Sequence, residues 1–155
     1  MLIIWVITLT WAGNVTFLST ASFGGSVTGW LLEQIFSSLH IHLAHPTFVI
    51  VHFLIRKLAH LTEYAILSLF LYFSFNPRDP EGWHKRSAFA AVIIAGLFSL
   101  TDEYHQSFVP GRTASIKDCG LDTLGALLAI LLLYAGRRLQ GVSPKVSEPV
   151  SQSRS

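Results

Sequence analysis

Residues 48–75 read FVIVHFLIRKLAHLTEYAILSLFLYFSF, from Phe48 to Phe75. Arg56, Lys57 and Glu63 are its only charged side chains, joined by His52 and His60, and from Tyr64 onward nothing ionises near neutrality. A hydrocarbon core about 30 Å thick is crossed by ~20 helical residues. The segment is long enough, it follows Pro46, and Asn76-Pro77 ends it, so it predicts a membrane-spanning helix with its polar groups toward the first end.

The flanking sequence repeats the pattern. Residues 88–106 are apolar until Thr101, and the turn signal Pro110-Gly111 follows. Residues 115–135 open with Lys117, Asp118 and Asp122 and then become wholly apolar, closed by Arg137 and Arg138. Upstream, Leu2 to Leu18 is just long enough to span, weakened by Thr8, Thr10 and Asn14. A cleaved signal peptide competes for this segment, with Ser19 to Ala21 offering small residues. No Lys or Arg precedes the apolar run, however, and such peptides begin with a basic region; a retained helix is the preferred reading. Between Val27 and Leu43 the residues Trp30, Leu31, Ile35, Phe36 and Leu39 recur at helical spacing among Glu33, Gln34, Ser37 and Ser38. That one-sided pattern suits a helix lying at the membrane interface, with a structured loop as the alternative. The fold expected is therefore all-α: a polytopic four-transmembrane-helix bundle with an interfacial helix in the first loop. Residues 1–137 form the membrane domain, and 138–155, rich in Ser, Pro and Val, form a disordered polar tail.

Composition supports this. Of 155 residues, 51% are hydrophobic and 13% charged, against about 25% charged in a soluble domain, and the mean hydropathy is +0.50. The net charge of +2 comes without a basic run, so nucleic acid is not an expected partner. Membrane lipids are. One cysteine, Cys119, excludes an internal disulfide and a cysteine-based zinc site; it reads as a packing residue. Trp5, Trp11, Trp30 and Trp83 are consistent with interface anchors.

Orientation follows from the basic residues. None occurs between Met1 and Ile55, whereas Arg78, Lys85 and Arg86 lie after the second span and Arg137, Arg138, Lys145 and Arg154 after the fourth. Loop 76–87 and the C-terminus are expected to be cytoplasmic. The opposite, extracytoplasmic end then collects Glu63, Asp102, Glu103, Asp118 and Asp122, five of the nine acidic residues. Arg56, Lys57, Arg112, Lys117, His60 and His105 lie at the same level.

Helical phase lets these groups converge. At about 100° per residue, Lys57, His60, Glu63 and Tyr64 occupy an arc of roughly 120°. Ser99, Asp102 and Gln106 fall within about 60°, flanked by Glu103 and His105, and Ser115, Asp118, Asp122 and Gly125 within about 80°. Three stripes facing one another would line a polar cleft, and Gly125 would let a neighbouring helix come close. Charges at span ends also occur for bland reasons. Long side chains snorkel, Ser115 can cap a helix, and Asp118 complements its dipole. That account serves Arg56, Lys117, Glu103 and Asp118. It serves His60, Glu63, Asp102 and Asp122 less well, because they lie a turn or two inside the apolar region, where ionisable groups are costly and commonly functional. His40, His42 and His45 could form a metal-binding cluster, but their irregular spacing favours reading them as loop residues.

The residues also carry a family resemblance. Arg56-Lys57-Leu58-Ala59-His60-Leu61-Thr62-Glu63-Tyr64 resembles the first signature of VanZ-like membrane proteins. Thr101-Asp102-Glu103-Tyr104-His105-Gln106-Ser107-Phe108-Val109-Pro110-Gly111-Arg112 is similar to the second. Ser115-Ile116-Lys117-Asp118, with Asp122 and Gly125, is similar to the third. The resemblance covers about residues 50–135. It implies a multi-pass protein of the cell envelope, in a family associated with resistance to the glycopeptide antibiotic teicoplanin.

Two functions fit this constellation. As an enzyme on a lipid or lipid-linked envelope substrate, the chain would draw catalytic groups from His60, Glu63, Tyr64, Asp102, Glu103, His105, Gln106, Asp118 and Asp122. A divalent metal held by His60, Glu63, Asp102 and His105 could activate water, or His60 or one of the carboxylates could act as a general base without one. Lys57 and Arg112 would receive an anionic substrate group, and Ser99, Ser107 and Ser115 are nucleophile candidates without a clear base. As a non-catalytic protein, the chain would use the same charges as a structural network, or to bind an anionic headgroup or a glycopeptide. A transporter or proton relay fits less well, since the other halves of the spans lack polar residues to continue a path.

Overall fold

The structure, a computed structural model, describes residues 2–20, 25–76, 78–109 and 115–141. The described residues form five helices and no strand: α1 (Leu2–Leu18), α2 (Gly25–Ser38), α3 (His45–Phe75), α4 (Lys85–Gln106) and α5 (Ile116–Leu139). Helices α3, α4 and α5 are long and apolar enough to cross a membrane. The 17 residues of α1 would extend ~25 Å at about 1.5 Å per residue.

Local chemistry explains the boundaries. Pro46 stands at the start of α3, where a missing N–H costs nothing. At its far end the Asn76 side chain donates to the Tyr72 carbonyl at 2.7 Å and accepts from Ser87 Oγ at 3.0 Å, tying α3 to α4. Ser115 caps α5 by accepting the Lys117 N–H, and Asp118 lies in the first turn, as the sequence suggests. Helix α2 stops at Ser38, short of the expected Leu43, because His40 takes a left-handed φ of 56°. The Ile41 N–H then reaches back to the Phe36 carbonyl at 2.8 Å and the His40 N–H to that of Ser37 at 3.0 Å, a Schellman ending with histidine where glycine is usual.

The distribution of polarity is inverted relative to a water-soluble bundle. Leu2, Ile3, Phe53, Leu58, Phe89, Leu97 and Leu132 are among many exposed apolar side chains, while Ser68, Ser99, Asp102, Gln106 and Asp122 are buried. Soluble proteins bury the first kind and expose the second. Here the outer surface matches a hydrocarbon solvent, and polar groups are gathered inside.

Helix α3 is the hub, packed against α5 most extensively and also against α1 and α4; α4 and α5 pack together, and α2 packs lightly against the first part of α3. Gly125 of α5 lies under the Leu61 carbonyl of α3, so close that a Cβ there would collide with backbone. Nearby, Ser68 Oγ donates to the Ala126 carbonyl at 3.1 Å. Ala88, Ala91 and Ala95 give α4 an equally small inner face, as expected where helices associate by close backbone approach in lipid. Helix α1 runs antiparallel to α3: Thr8 and Ser74 share a 2.8 Å hydrogen bond, and Trp11 Nε1 donates to the Glu63 carbonyl at 3.0 Å.

Two expectations change. Helix α5 continues past 135 to Leu139, and Arg137 does not close it at the surface: it is buried, donating to the Gly82 and Pro80 carbonyls and lying over the Tyr72 and Phe73 rings. Trp11 and Trp83 also have partners within the bundle: Trp11 is bonded to α3 and Trp83 packs between Tyr72 and Tyr134. The tail expected beyond Gly141 lies outside the described residues.

Candidate functional site

The antiparallel arrangement brings together the end of α1, the first half of α3, the end of α4 and the start of α5. The three stripes meet there, and Asp102, Glu103, Asp118 and Asp122 each find a donor outside their own helix. Ser19, just beyond α1, donates from Oγ to Asp102 Oδ2 at 2.6 Å, and Gln106 Nε2 donates to the same oxygen at 2.8 Å. Ser99 Oγ donates to Asp122 Oδ2 at 2.6 Å, joining α4 to α5. The Ser115 N–H donates to Glu103 Oε2 at 2.7 Å. Lys57 forms an ion pair with Asp118.

The centre of the cluster is not fully paired. His60 Nδ1 stands 3.8 Å from Asp122 Oδ1, an electrostatic contact rather than a hydrogen bond. Asp122 is 1% exposed and Tyr64 is fully buried. Asp102 Oδ1, Asp122 Oδ1 and the Tyr64 hydroxyl make no hydrogen bond to any described residue. Buried polar atoms without partners are rare and mark places where a solvent molecule, ligand or proton is accommodated. Beside this cluster a recess of about 190 Å³ opens between α1, α2 and α3, lined by Leu18, Ser19, Thr28, Arg56, Ala59, His60 and Glu63.

Not every candidate joins the site. His105 is exposed on the outer side of α4, so the expected metal set of His60, Glu63, Asp102 and His105 does not assemble. Among the described residues no three His, Cys, Asp or Glu side chains come together to hold a metal ion. Lys57, expected to receive substrate, is taken up by Asp118, and Arg112 lies outside the described residues. Of the serines considered as nucleophiles, Ser99 serves Asp122, Ser107 is bonded to the Tyr104 carbonyl, and Ser115 is a cap.

The profile of the VanZ/LLP1 family matches residues 1–137, which contain the whole cluster. The chain belongs to the VanZ/LLP1 family. An uncharacterized protein of Schizosaccharomyces pombe is 32% identical over 89 residues, which make up 56% of this chain and 52% of that protein. The chain thus spans about half the length of the curated relative it matches. No solved structure matches the chain.

Within this VanZ/LLP1 fold, sequence reasoning missed two participants. Ser19 looked like a possible cleavage region, yet it reaches Asp102 across 83 positions of chain; no local pattern announces such a pair. Arg56 looked like a snorkelling end charge, yet it lines the recess. Its position four residues before His60 and seven before Glu63, on one helical face, was the available signal.

Proposed function

We propose that this VanZ-like protein is a multi-pass protein of the cell envelope that binds and chemically processes a lipid or lipid-linked substrate at the ends of α3, α4 and α5, with His60 and Asp122 as an acid–base pair. In this reading α1 is a fourth span and α2 an interfacial helix. Loop 76–87 and the C-terminus are cytoplasmic, the recess extracytoplasmic. The carrying observation is the approach of His60 to the buried Asp122 beside a recess. A carboxylate next to one ring nitrogen orients an imidazole and stabilises its protonated form, which suits it to take and return a proton. A lipid can enter such a site from the side, since the surrounding helical surface is apolar.

A second reading, in which the network is structural, draws support from a different observation. The bonds Ser19–Asp102, Ser99–Asp122 and Lys57–Asp118 each join two elements, as a set of helix ties would. The two readings separate in one experiment. The full chain is reconstituted with membrane lipid extract, and lipid species are followed by mass spectrometry beside His60→Ala and Asp122→Asn, each also assayed for folded yield. Folded variants that no longer alter a lipid species support the catalytic reading. Variants that accumulate and alter lipids as the parent does would sink it, and variants that fail to accumulate favour the structural one. Cysteine labelling at Val109 from outside the cell checks orientation; labelling only after permeabilisation would reverse it.

A further inference from the structure

The recess contains a cation that the network does not use. The two neighbouring basic residues of α3 have different fates, because adjacent helical positions face about 100° apart. Lys57 turns to α5 and pairs with Asp118. Arg56 turns to the recess and makes neither a hydrogen bond nor an ion pair with any described residue, although it is only partly exposed and lines the cavity with Ser19 and His60. Its position is also made room for. Gly25 opens α2 beside it, and a Cβ on Gly25 would stand 2.6 Å from Arg56 Nη1.

A partly desolvated guanidinium without a counter-charge is unfavourable unless an anion completes it. Its planar fork suits two oxygens of one phosphate, which a lysine cannot match in geometry. Of the nearby carboxylates, Asp118 is paired with Lys57 and Glu63 lines the far part of the same recess. Glu63 is seven residues on, ~10 Å along the axis at about 1.5 Å per residue, so the Arg56 end is the end where an anion is tolerated. His60, between the two, faces the same space. We propose that Arg56 forms an anion subsite that receives the phosphate group of the ligand, placing the adjoining ester toward His60. This rests on the reading of the recess as a substrate site, and it names the substrate class: a phosphate ester, whether of a lipid headgroup or of a soluble compound.

The test uses the full chain in phosphatidylcholine nanodiscs, with bound lipid measured by native mass spectrometry. One arm offers phosphatidic acid and the other inorganic phosphate. The parent is expected to retain one of them: phosphatidic acid assigns a lipid source, inorganic phosphate alone a soluble one. Arg56→Gln is expected to weaken that binding at least tenfold and Lys117→Gln, an exposed cation at the same end, to leave it unchanged. Gly25→Val keeps every charge but pushes the guanidinium aside, so it should weaken binding as well; it remains informative if Arg56→Gln fails to fold. Binding in Arg56→Gln or Gly25→Val equal to the parent's, or no binding of either probe by the parent, overturns the subsite. So does equal weakening in Lys117→Gln, which would reveal only surface attraction. Lipid turnover that needs His60 but not Arg56 overturns this subsite alone. Arg56-dependent binding with no His60-dependent change in any lipid overturns the proposed chemistry alone.

Discussion

Ser19 Oγ and Asp102 Oδ2 lie 2.6 Å apart, with Gln106 Nε2 on both of them at 3.1 and 2.8 Å. This three-membered knot is what fastens the polar end of α1 to α4. Removing one member leaves a buried acceptor short of a donor, at a cost of about 1–3 kcal/mol. Ser19→Ala is therefore expected to lower the melting temperature of the detergent-solubilised chain, and Ser19→Thr to restore most of it. A melting temperature unchanged in Ser19→Ala would show that the knot is not holding α1.

Gly125 predicts a contrast among glycines. A methyl group there meets the Leu61 backbone, whereas at Gly120 and Gly136 nothing lies within 4 Å of the place a Cβ would take. Gly125→Ala should cost about 1–3 kcal/mol through overpacking, while Gly120→Ala and Gly136→Ala should be neutral or slightly stabilising, since alanine is the better helix former. Folded yield and thermal denaturation of the three variants, made in parallel, decide the matter; equal behaviour would mean that α3 and α5 are not in close contact at this point.

Arg137 predicts a local effect at the opposite end. Its guanidinium holds the carbonyls of Pro80 and Gly82, and Tyr72 Oη donates to the Gly82 carbonyl at 2.9 Å. Hydrogen bonds to a charged donor contribute about 1.5–3 kcal/mol each when buried. Arg137→Gln should speed amide hydrogen exchange across residues 79–84 and Tyr72→Phe should do so more weakly, with exchange in the first half of α3 unchanged. Exchange in loop 79–84 that is the same in parent and variants would remove the clamp.

His40 predicts a gain. Its φ of 56° costs an ordinary side chain roughly 1 kcal/mol that glycine does not incur. His40→Gly should raise the stability of the α2–α3 connection, read as slower proteolysis between Leu39 and Ala44. Faster cleavage would mean that the imidazole itself holds the turn.

Much of this molecule was legible in its residues, for physical reasons that can be named. The span of α3 follows from its apolar run, Pro46 and Asn76, and the meeting of the three stripes follows from phase, because Asp102 and Gln106 are four apart on one face and Asp118 and Asp122 likewise. What stayed hidden depends on which neighbour a side chain meets. Arg56 and Lys57 are chemically alike, and only the packing of α5 on one side and the recess on the other separates them. His105 is near Asp102 in phase, yet Gln106 takes the inner position and His105 faces out. Arg137 resembles any terminal cation of a span until the aromatic rings of Tyr72 and Phe73, 64 or more positions earlier in the chain (its bond to Tyr72 spans 65), are placed beneath it.

The tie between Ser99 and Asp122 has a consequence for biogenesis. A chain leaves the ribosome from its N-terminus, so α3 and α4, both long and apolar enough to cross a membrane, are complete while α5 is still being made. Until then His60 has no carboxylate at position 122 to face, Lys57 has no counter-ion from α5, and Ser99 has no acceptor there. These half-built polar surfaces must pass through the insertion machinery or wait in lipid unsatisfied. Helix α5 is thus the one that turns a set of costly intermediates into a finished site, and truncation anywhere before it leaves a product that the cell's quality control has every physical reason to recognise.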